Sequence, residues 1–305
     1  MLKFLFQRVL LALAVALTAS IVTFVLLNFA VDPAAAIVGD TDDPHVIAQV
    51  RADLGLDRSV PDRYLTWLGN VLTGDLGRSY VMKQPVMEII EQHAPVTLRL
   101  AFFGILVTMA IGIPLGTIAG LRPGTATDRA VQAVAAALQA TPSFWIGLLS
   151  ILLFAVRLGW LPVSGDASWR NYVLPSFILG AGAAPNVIRL TRSGMMEVMG
   201  ADYIRTARAK GYRGWALLRR HALRNALLPV VSVLAIELGN KLGGSVVVEV
   251  VFAMNGLGRL ALNAVLTGDI PTLQMLVLFF AVLFVLMTLL ADVLNAWLDP
   301  RIRLT

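Results

Sequence analysis

Two ionisable residues, Glu237 and Lys241, stand out because they lie within an otherwise apolar stretch at residues 227–248. They are four positions apart, so one face of a helix would carry both, with the acid on the amino-terminal side, which is the better order for pairing. A charged group inside a membrane is costly and usually faces a cavity or a partner. With neighbouring Asn240, they would line a pathway for a solute with charged ends; alternatively, the two charges neutralise each other at a helix interface.

Other chemistry is absent from the sequence pattern. No Gly-x-x-x-x-Gly-Lys-Ser/Thr run is present, which excludes a phosphate-binding loop of that type. The chain has no cysteine, which excludes disulfides, a thiolate nucleophile and cysteine-ligated metal. The histidines, His45, His93 and His221, fall outside the predicted spans, which disfavours an intramembrane Ser–His dyad. We therefore expect no catalytic residue, no metal site and no cofactor bound by this chain.

The elements that position these residues are membrane spans. Hydrophobic residues make up 57% of the 305 residues and charged residues only 14%, whereas a soluble domain carries about 25% charged residues. A chain of this length cannot bury so much apolar surface in one soluble core. The composition therefore predicts a multi-pass, all-α protein embedded in a lipid bilayer. It also disfavours nucleic-acid binding, despite a formal net charge of +6.

Six stretches are suited to cross the hydrocarbon core, which needs roughly 20 mostly apolar residues. The first could instead be a cleaved signal peptide followed by small residues at 34–36. Its uncharged run of 23 residues exceeds the roughly 7–15 residues of a signal core, so we expect a retained helix. The predicted spans cover residues 9–31, 100–121, 130–156, 171–188, 227–248 and 270–291.

The orientation follows from the distribution of Lys and Arg. With the amino terminus inside, the inner segments hold fifteen of the 25 Lys and Arg residues, and the short outer loops hold only Arg157, Arg170 and Arg259. This pattern predicts a protein of a prokaryotic cytoplasmic membrane with both termini in the cytoplasm. We expect three parts: residues 1–31 with the first span, an external cap at 32–96, and a membrane core at 97–305.

The external segment at 32–96 is too long for a plain connector. Its sequence predicts helical pieces at residues 44–54, 61–72 and 85–92. We interpret this cap as a docking surface for an external partner, and the alternative is a simple lid. The residues expected to make the contact are Asp57, Asp62 and Arg63.

The inner segment at 189–225 carries nine Lys and Arg residues. Asp202 can cap a helix over residues 203–210, whose end is rich in small residues that would let another protein approach closely. The alternative is a basic anchor that only fixes the orientation.

This segment also carries a specific resemblance. The string DYIRTARAKG at 202–211, followed by LLRRHALRNALLPVV at 217–231, resembles the cytoplasmic signature of ABC-importer permeases of the dipeptide/oligopeptide branch. Further strings agree with that branch in the same order along nearly the whole chain: LGLDRSVPDRYLTWL at 54–68, GDLGRSY at 74–80, PSFWIGLL at 142–149, RLGWLPVSG at 157–165, GGSVVVEVVF at 243–252 and LDPRIR at 298–303.

The resemblance implies the fold of a type I ABC-importer permease and a role as half of a membrane pore. Such a permease pairs with a homologous permease as a heterodimer, and two cytoplasmic ATPase subunits hold ATP and Mg²⁺. An external binding protein delivers a peptide or a similar small polar solute. The helix that couples to one ATPase would comprise Tyr203, Arg205, Thr206, Ala207, Arg208, Ala209, Lys210 and Gly211.

Some positions depart from the family pattern. Arg205, Thr206 and Ala207 stand where the wider permease pattern has Glu-Ala-Ala, and Lys241 stands where a small or apolar residue is expected. An ion-coupled secondary transporter is the alternative function, because Glu237 and Lys241 are ionisable groups of the kind that ion coupling requires. The sequence leaves the substrate open among dipeptides, oligopeptides, glutathione, opines, sugars and metal complexes.

Overall fold

A computed structural model describes residues 2–30, 34, 43–53 and 55–298. Within these ranges the chain is almost entirely helical and contains no strand beyond an isolated bridge between Arg78 and Pro85. The predicted all-α class is confirmed. Outside the described residues lie small residues 35 and 36, the first part of the outer segment and the carboxy-terminal LDPRIR string beyond Leu298.

The helices alternate between long apolar rods and short connecting pieces. Two π-helical segments, Ile151–Arg157 and Leu218–Ala222, continue directly from the α-helices that precede them. The helices are α1 (Leu2–Ala30), α2 (Pro44–Asp53), α3 (Val60–Leu72), α4 (Val86–Leu121), α5 (Ala126–Ala140), α6 (Ser143–Ser150), α7 (Trp169–Gly200), α8 (Asp202–Ala209), α9 (Gly214–Leu217), α10 (Leu223–Ala226), α11 (Leu228–Gly244), α12 (Val246–Val251), α13 (Leu257–Thr267) and α14 (Ile270–Leu298).

Four of these helices, α1, α4, α7 and α14, are each long and apolar enough to cross a membrane. Two bent pairs, α5 with α6 and α9–α10 with α11, bring the count among the described residues to six if each pair is one span. The six predicted spans therefore correspond to helices. The third predicted cap piece, at 85–92, is the beginning of α4, so His93 lies on the same continuous helix as the second span.

The third predicted span, at 130–156, is broken rather than straight. Its two helices meet at 95° around Thr141 and Pro142. Thr141 is extended, with φ −91° and ψ 126°, because the residue before a proline is disfavoured in the helical region. Pro142 then precedes the first turn of α6, where its missing N–H is tolerated. A milder bend of 56° separates α10 from α11, just before Pro229.

The helices form two compact units. One covers residues 98–254 and the end of α14, and the other covers the described residues before 98 together with 255–285. In the second unit, α1 packs on α3: Phe24 is buried with its ring centroid 5.4 Å from that of Tyr64, and the hydroxyls of Ser20 and Tyr64 are 2.8 Å apart.

Glycines bring α4 and α7 into close contact within the first unit. Gly112, Gly116 and Gly120 recur every four residues on α4, and a Cβ added to any of them would lie 2.6 Å from an atom of α7. On α7, a Cβ at Gly180 would lie 2.6 Å from the carbonyl oxygen of Gly104. Small residues at this spacing let helix backbones approach in a bilayer, where no hydrophobic force drives helices together.

We expect Gly116→Ala to destabilise the protein and Gly182→Ala to leave its stability unchanged or slightly raised. The new methyl at 116 meets the carbonyl oxygen of Ile188 at 2.6 Å, whereas a Cβ at 182 has nothing within 4 Å. Overpacking typically costs about 1–3 kcal/mol, whereas Ala in an open helical position gains up to about 1 kcal/mol over Gly. Thermal unfolding midpoints in detergent measure the difference, and equal midpoints would contradict the close contact.

Candidate functional site

The inner segment contains the short helix predicted there. Helix α8 covers Asp202–Ala209, one residue earlier than predicted. Asp202 is the first helical residue rather than the cap, because Ala201 occupies the cap position without a side-chain hydrogen bond. Its carboxylate Oδ1 instead accepts a hydrogen bond from Arg205 Nη1 at 3.1 Å. Both side chains are largely exposed, so this pair contributes little to stability.

One face of α8 is buried by the chain itself. Ile204 is fully buried and Ala207 is 5% exposed, in a cluster with Met195 of α7 and Ala226 of α10. The small size of Ala207 is therefore explained by this internal packing. The remaining predicted coupling residues on the helix and at its end are exposed: Tyr203, Arg205, Thr206, Arg208, Ala209 and Lys210.

Gly211 ends α8 with a left-handed backbone conformation that glycine adopts readily. Its φ is +91°, its N–H donates to the carbonyl of Arg208, and the N–H of Tyr212 donates to the carbonyl of Ala207 at 3.1 Å. These two bonds form the Schellman arrangement, which favours glycine at this position. Tyr212 then packs edge-on against His221, with ring centroids 4.7 Å apart. Gly211 is needed for the chain's own turn, and a Cβ there would meet nothing within 4 Å.

An ion pair holds the neighbouring spans together. Arg192 of α7 donates through Nε and Nη2 to the two carboxylate oxygens of Asp128 at 2.6 and 2.7 Å. Asp128 Oδ2 also accepts the backbone N–H of Gly124, so the turn between α4 and α5 is tied to the same carboxylate. The sequence pattern did not predict this pair. Its only signal was an acid, Asp128, in an inner segment that otherwise carries the bases Arg122 and Arg129.

The two ionisable residues of the fifth span have different partners. Lys241 is 3% exposed and its Nζ donates to the carbonyl oxygen of Leu179 at 2.6 Å. Glu237 Oε1 accepts a hydrogen bond from Asn186 Nδ2 at 3.0 Å. Direct pairing therefore does not account for either residue. Asn240 is exposed on the same helix.

Glu237 is one end of a polar chain that links three spans. Asn186 Oδ1 accepts from Arg189 Nη2 at 2.9 Å, and Arg189 Nη1 donates to Gln139 Oε1 at 2.8 Å. Gln139, Asn186 and Arg189 are exposed, whereas Glu237 is half-buried. The sequence pattern placed Arg189 in the inner segment and did not single out Gln139 and Asn186, although both are polar residues in predicted apolar spans. We call these four residues the polar strip.

The three residues predicted to dock a partner have different structural roles in the outer segment, residues 32–96. Asp62 lies in the first turn of α3, where its N–H donates to Ser59 Oγ and its Oδ2 accepts from the same hydroxyl at 2.6 Å. It therefore helps to cap α3. Asp57 is exposed in the preceding turn. Arg63 lines a cavity.

That cavity, of about 620 Å³, gathers most of the positive charge of the outer segment. Residues 32–96 hold ten acids and five bases, and four of the five bases line the cavity. Asp75 is the single acid among its described lining residues. The aromatic side chains of Trp67 and Tyr80 also contribute. We call this site the basic cavity; its bases are Arg58, Arg63, Arg78 and Lys83.

Asp269 fixes one wall of the basic cavity. Its carboxylate is buried and accepts hydrogen bonds from the hydroxyls of Ser79 and Thr272 at 2.5 and 2.8 Å and from the N–H of Tyr80 at 3.0 Å. Burial raises the pKa of the Tyr80 phenol, a group that is neutral at physiological pH even at its ordinary pKa. The cavity is a preformed cationic pocket with an aromatic edge.

Known protein families match this sequence over most of its length. Residues 112–304 match the family described as the inner membrane component of binding-protein-dependent transport systems, and residues 1–101 match the amino-terminal family of such membrane components. A protein of Brucella abortus whose name describes a peptide transport system permease is 40% identical over 97% of this chain and 98% of its own. The glutathione transport system permease protein GsiC of Pectobacterium atrosepticum is 41% identical over 89% of each chain.

A solved structure shares the fold. An inward-facing structure of the MetNI methionine ABC transporter aligns with a TM-score of 0.60 at 22% identity, covering 70% of this chain and 98% of that one. At this identity the likeness concerns the fold alone.

Proposed function

We propose that this chain, which belongs to the family of inner membrane components of binding-protein-dependent transport systems, forms half of a pore that imports short peptides or peptide-like solutes such as glutathione. Family membership confirms the predicted resemblance and the predicted function as a multi-pass inner membrane permease of an ABC importer. The ion-coupled alternative finds no support. The peptide class is our choice because the similar permeases are named for peptides and glutathione.

The observation that carries this proposal is helix α8. It presents an exposed basic face, and it is supported from within by the buried side chains of Ile204 and Ala207. A helix that transmits force from an ATPase must be rigid, and a fully packed inner face provides that rigidity. The exposed residues of α8 would lie in a cleft of the ATPase, so that closure of two ATPase subunits on ATP and Mg²⁺ moves the spans.

The other partners follow from the same role. We propose that a homologous permease completes the pore and that an external binding protein delivers the solute. Gly243 is exposed and a Cβ there would meet nothing within 4 Å, which leaves room for a helix of the partner permease. The binding protein would dock on the cap, where the basic cavity offers a complementary site for its acidic side chains. The chain itself supplies no catalytic group to ATP hydrolysis in this scheme.

The coupling role predicts that Ala209→Trp lowers ATPase co-purification and substrate-stimulated ATP hydrolysis by about tenfold or more. An indole on the exposed face displaces the helix from a fitted cleft, and overpacking by about 1–3 kcal/mol corresponds to roughly one to two decades in docking. The same change at Ala126, also exposed and predicted to lie on the inner side, is the matched control and should have no effect. Normal transport and co-purification by the Ala209→Trp protein would reject the coupling role.

Ala207 and Gly211 are unsuitable for this test. Trp at Ala207 would disrupt the buried cluster, and any side chain at Gly211 would be strained at φ +91°. Either substitution would lower activity even if no ATPase touched the loop.

The docking role predicts that Arg58→Glu and Lys83→Glu reduce stimulation of the ATPase by the loaded binding protein while basal hydrolysis is unchanged. Both reversals place a negative charge in the basic cavity. Arg51→Glu is the control, because Arg51 is the one base of the outer segment outside the cavity. Reversal of Asp62 would be ambiguous because that residue caps α3. If the binding protein stimulates all three variants and the parent equally, the docking role is rejected and the cap is only a lid.

The proposed orientation, with both termini and the inner segment in the cytoplasm, predicts the labelling of single cysteines, which can be introduced freely into this cysteine-free chain. A Ser193→Cys protein should react with an impermeant reagent only after the cells are permeabilised. An Asp57→Cys protein should react in intact cells. Both positions are exposed, so accessibility reports the side of the membrane. Labelling of residue 193 in intact cells would overturn the orientation.

A further inference from the structure

Irregular backbone is exposed at the break in the third predicted span. Ala140, Pro142 and Ser143 are exposed, and they lie midway along a pair of helices that are long and apolar enough together to cross a membrane as one bent span. A helix that ends at Ala140 leaves its last carbonyl groups without partners inside the helix. Backbone of this kind is tolerated in a bilayer only where protein or a water-filled cavity covers it. In a bent pair that crosses the bilayer, the face that carries the break is therefore not turned toward lipid.

The polar strip adjoins this break. Gln139 is the second-last residue of α5, and hydrogen bonds connect it through Arg189 and Asn186 to Glu237. Arg189 begins the inner segment, whereas Glu237 lies within the fifth predicted span, where a charge marks a solute pathway or a partner contact. Within the strip, the side-chain amide of Asn186 lies between Arg189 and Glu237 and bonds to both.

The chemistry of the strip matches the ends and the backbone of a short peptide. A guanidinium has five N–H donors, of which the Nη1 and Nη2 contacts to Gln139 and Asn186 leave others for a carboxylate. The Glu237 carboxylate, with one oxygen engaged by Asn186, can accept from an ammonium group. The amides of Asn186 and Gln139 both donate and accept, which suits peptide bonds of any sequence.

We propose that Gln139, Asn186, Arg189 and Glu237 form a solute-binding subsite in the pore, which holds the carboxylate of a zwitterionic peptide at Arg189 and its ammonium at Glu237. This inference rests on the proposed importer function. It gives the membrane subunit a selectivity of its own, beyond that of the external binding protein. Asn240, exposed three residues after Glu237, extends the same face. Lys241 is not part of the subsite, because it is buried against the carbonyl of Leu179.

The experiment uses the complete importer in proteoliposomes, with binding protein saturated by one of three probes: trialanine, its carboxy-terminal amide or its amino-terminal acetyl derivative. In the parent complex, trialanine should be taken up faster than either blocked form at the same concentration of loaded binding protein. Arg189→Gln should lower the uptake rate of trialanine by about tenfold, as expected for loss of a hydrogen bond between charged groups, and abolish discrimination against the amide only. Glu237→Gln should abolish discrimination against the acetyl form only.

Arg157→Gln, an exposed arginine outside the strip, is the matched control and should behave as the parent. If the Arg189→Gln and Glu237→Gln complexes keep the parent's discrimination, the subsite is rejected. If either variant no longer co-purifies with the partner permease, the strip is an interface and the subsite is likewise rejected. Failure of the proposed function is distinguishable, because the parent complex itself would then take up none of the three probes.

Discussion

The close approach of α4 and α7 through glycine is the constraint on which the rest of the membrane core depends. Gly112, Gly116 and Gly120 allow the two backbones to meet, and the contact continues into a small cluster of Ala119, Val131, Ala135, Ala184 and Ile188 that adds α5. Because α7 is fixed in this way, Arg192 reaches Asp128, and Asn186 and Arg189 lie at the positions from which they contact Glu237 and Gln139. Helix placement thus determines which polar groups can meet.

Glu237 and Lys241 are accommodated by bonds to a neighbouring helix rather than by pairing with each other along their own helix. Lys241 donates to a backbone carbonyl of α7, and Glu237 bonds to a side-chain amide of the same helix. An intramembrane charge is tolerated when such partners replace water. The four-residue spacing of Glu237 and Lys241, which suggested a direct pair, therefore reflects two separate contacts with one neighbouring helix.

The sequence predicted features that depend on local pattern. Apolar runs located the spans, and the basic segment located α8 within one residue, because helix periodicity and charge are properties of neighbouring residues. The polar strip could not be predicted in this way, since Asn186 and Glu237 are 51 residues apart and meet only after the helices pack. The break had a signal in the sequence, namely Pro142, but the apolar residues on both sides of it indicated one continuous span.

The internal packing of α8 also has a consequence for how the importer assembles. Ile204 and Ala207 are covered by the chain's own α7 and α10, so the helix is packed without any partner. In the proposed coupling role, association with an ATPase would avoid the entropy cost of ordering a disordered segment, which typically consumes about 2–5 kcal/mol of interaction energy in coupled folding and binding. In that scheme an ATPase subunit would dissociate and be replaced without refolding of the permease.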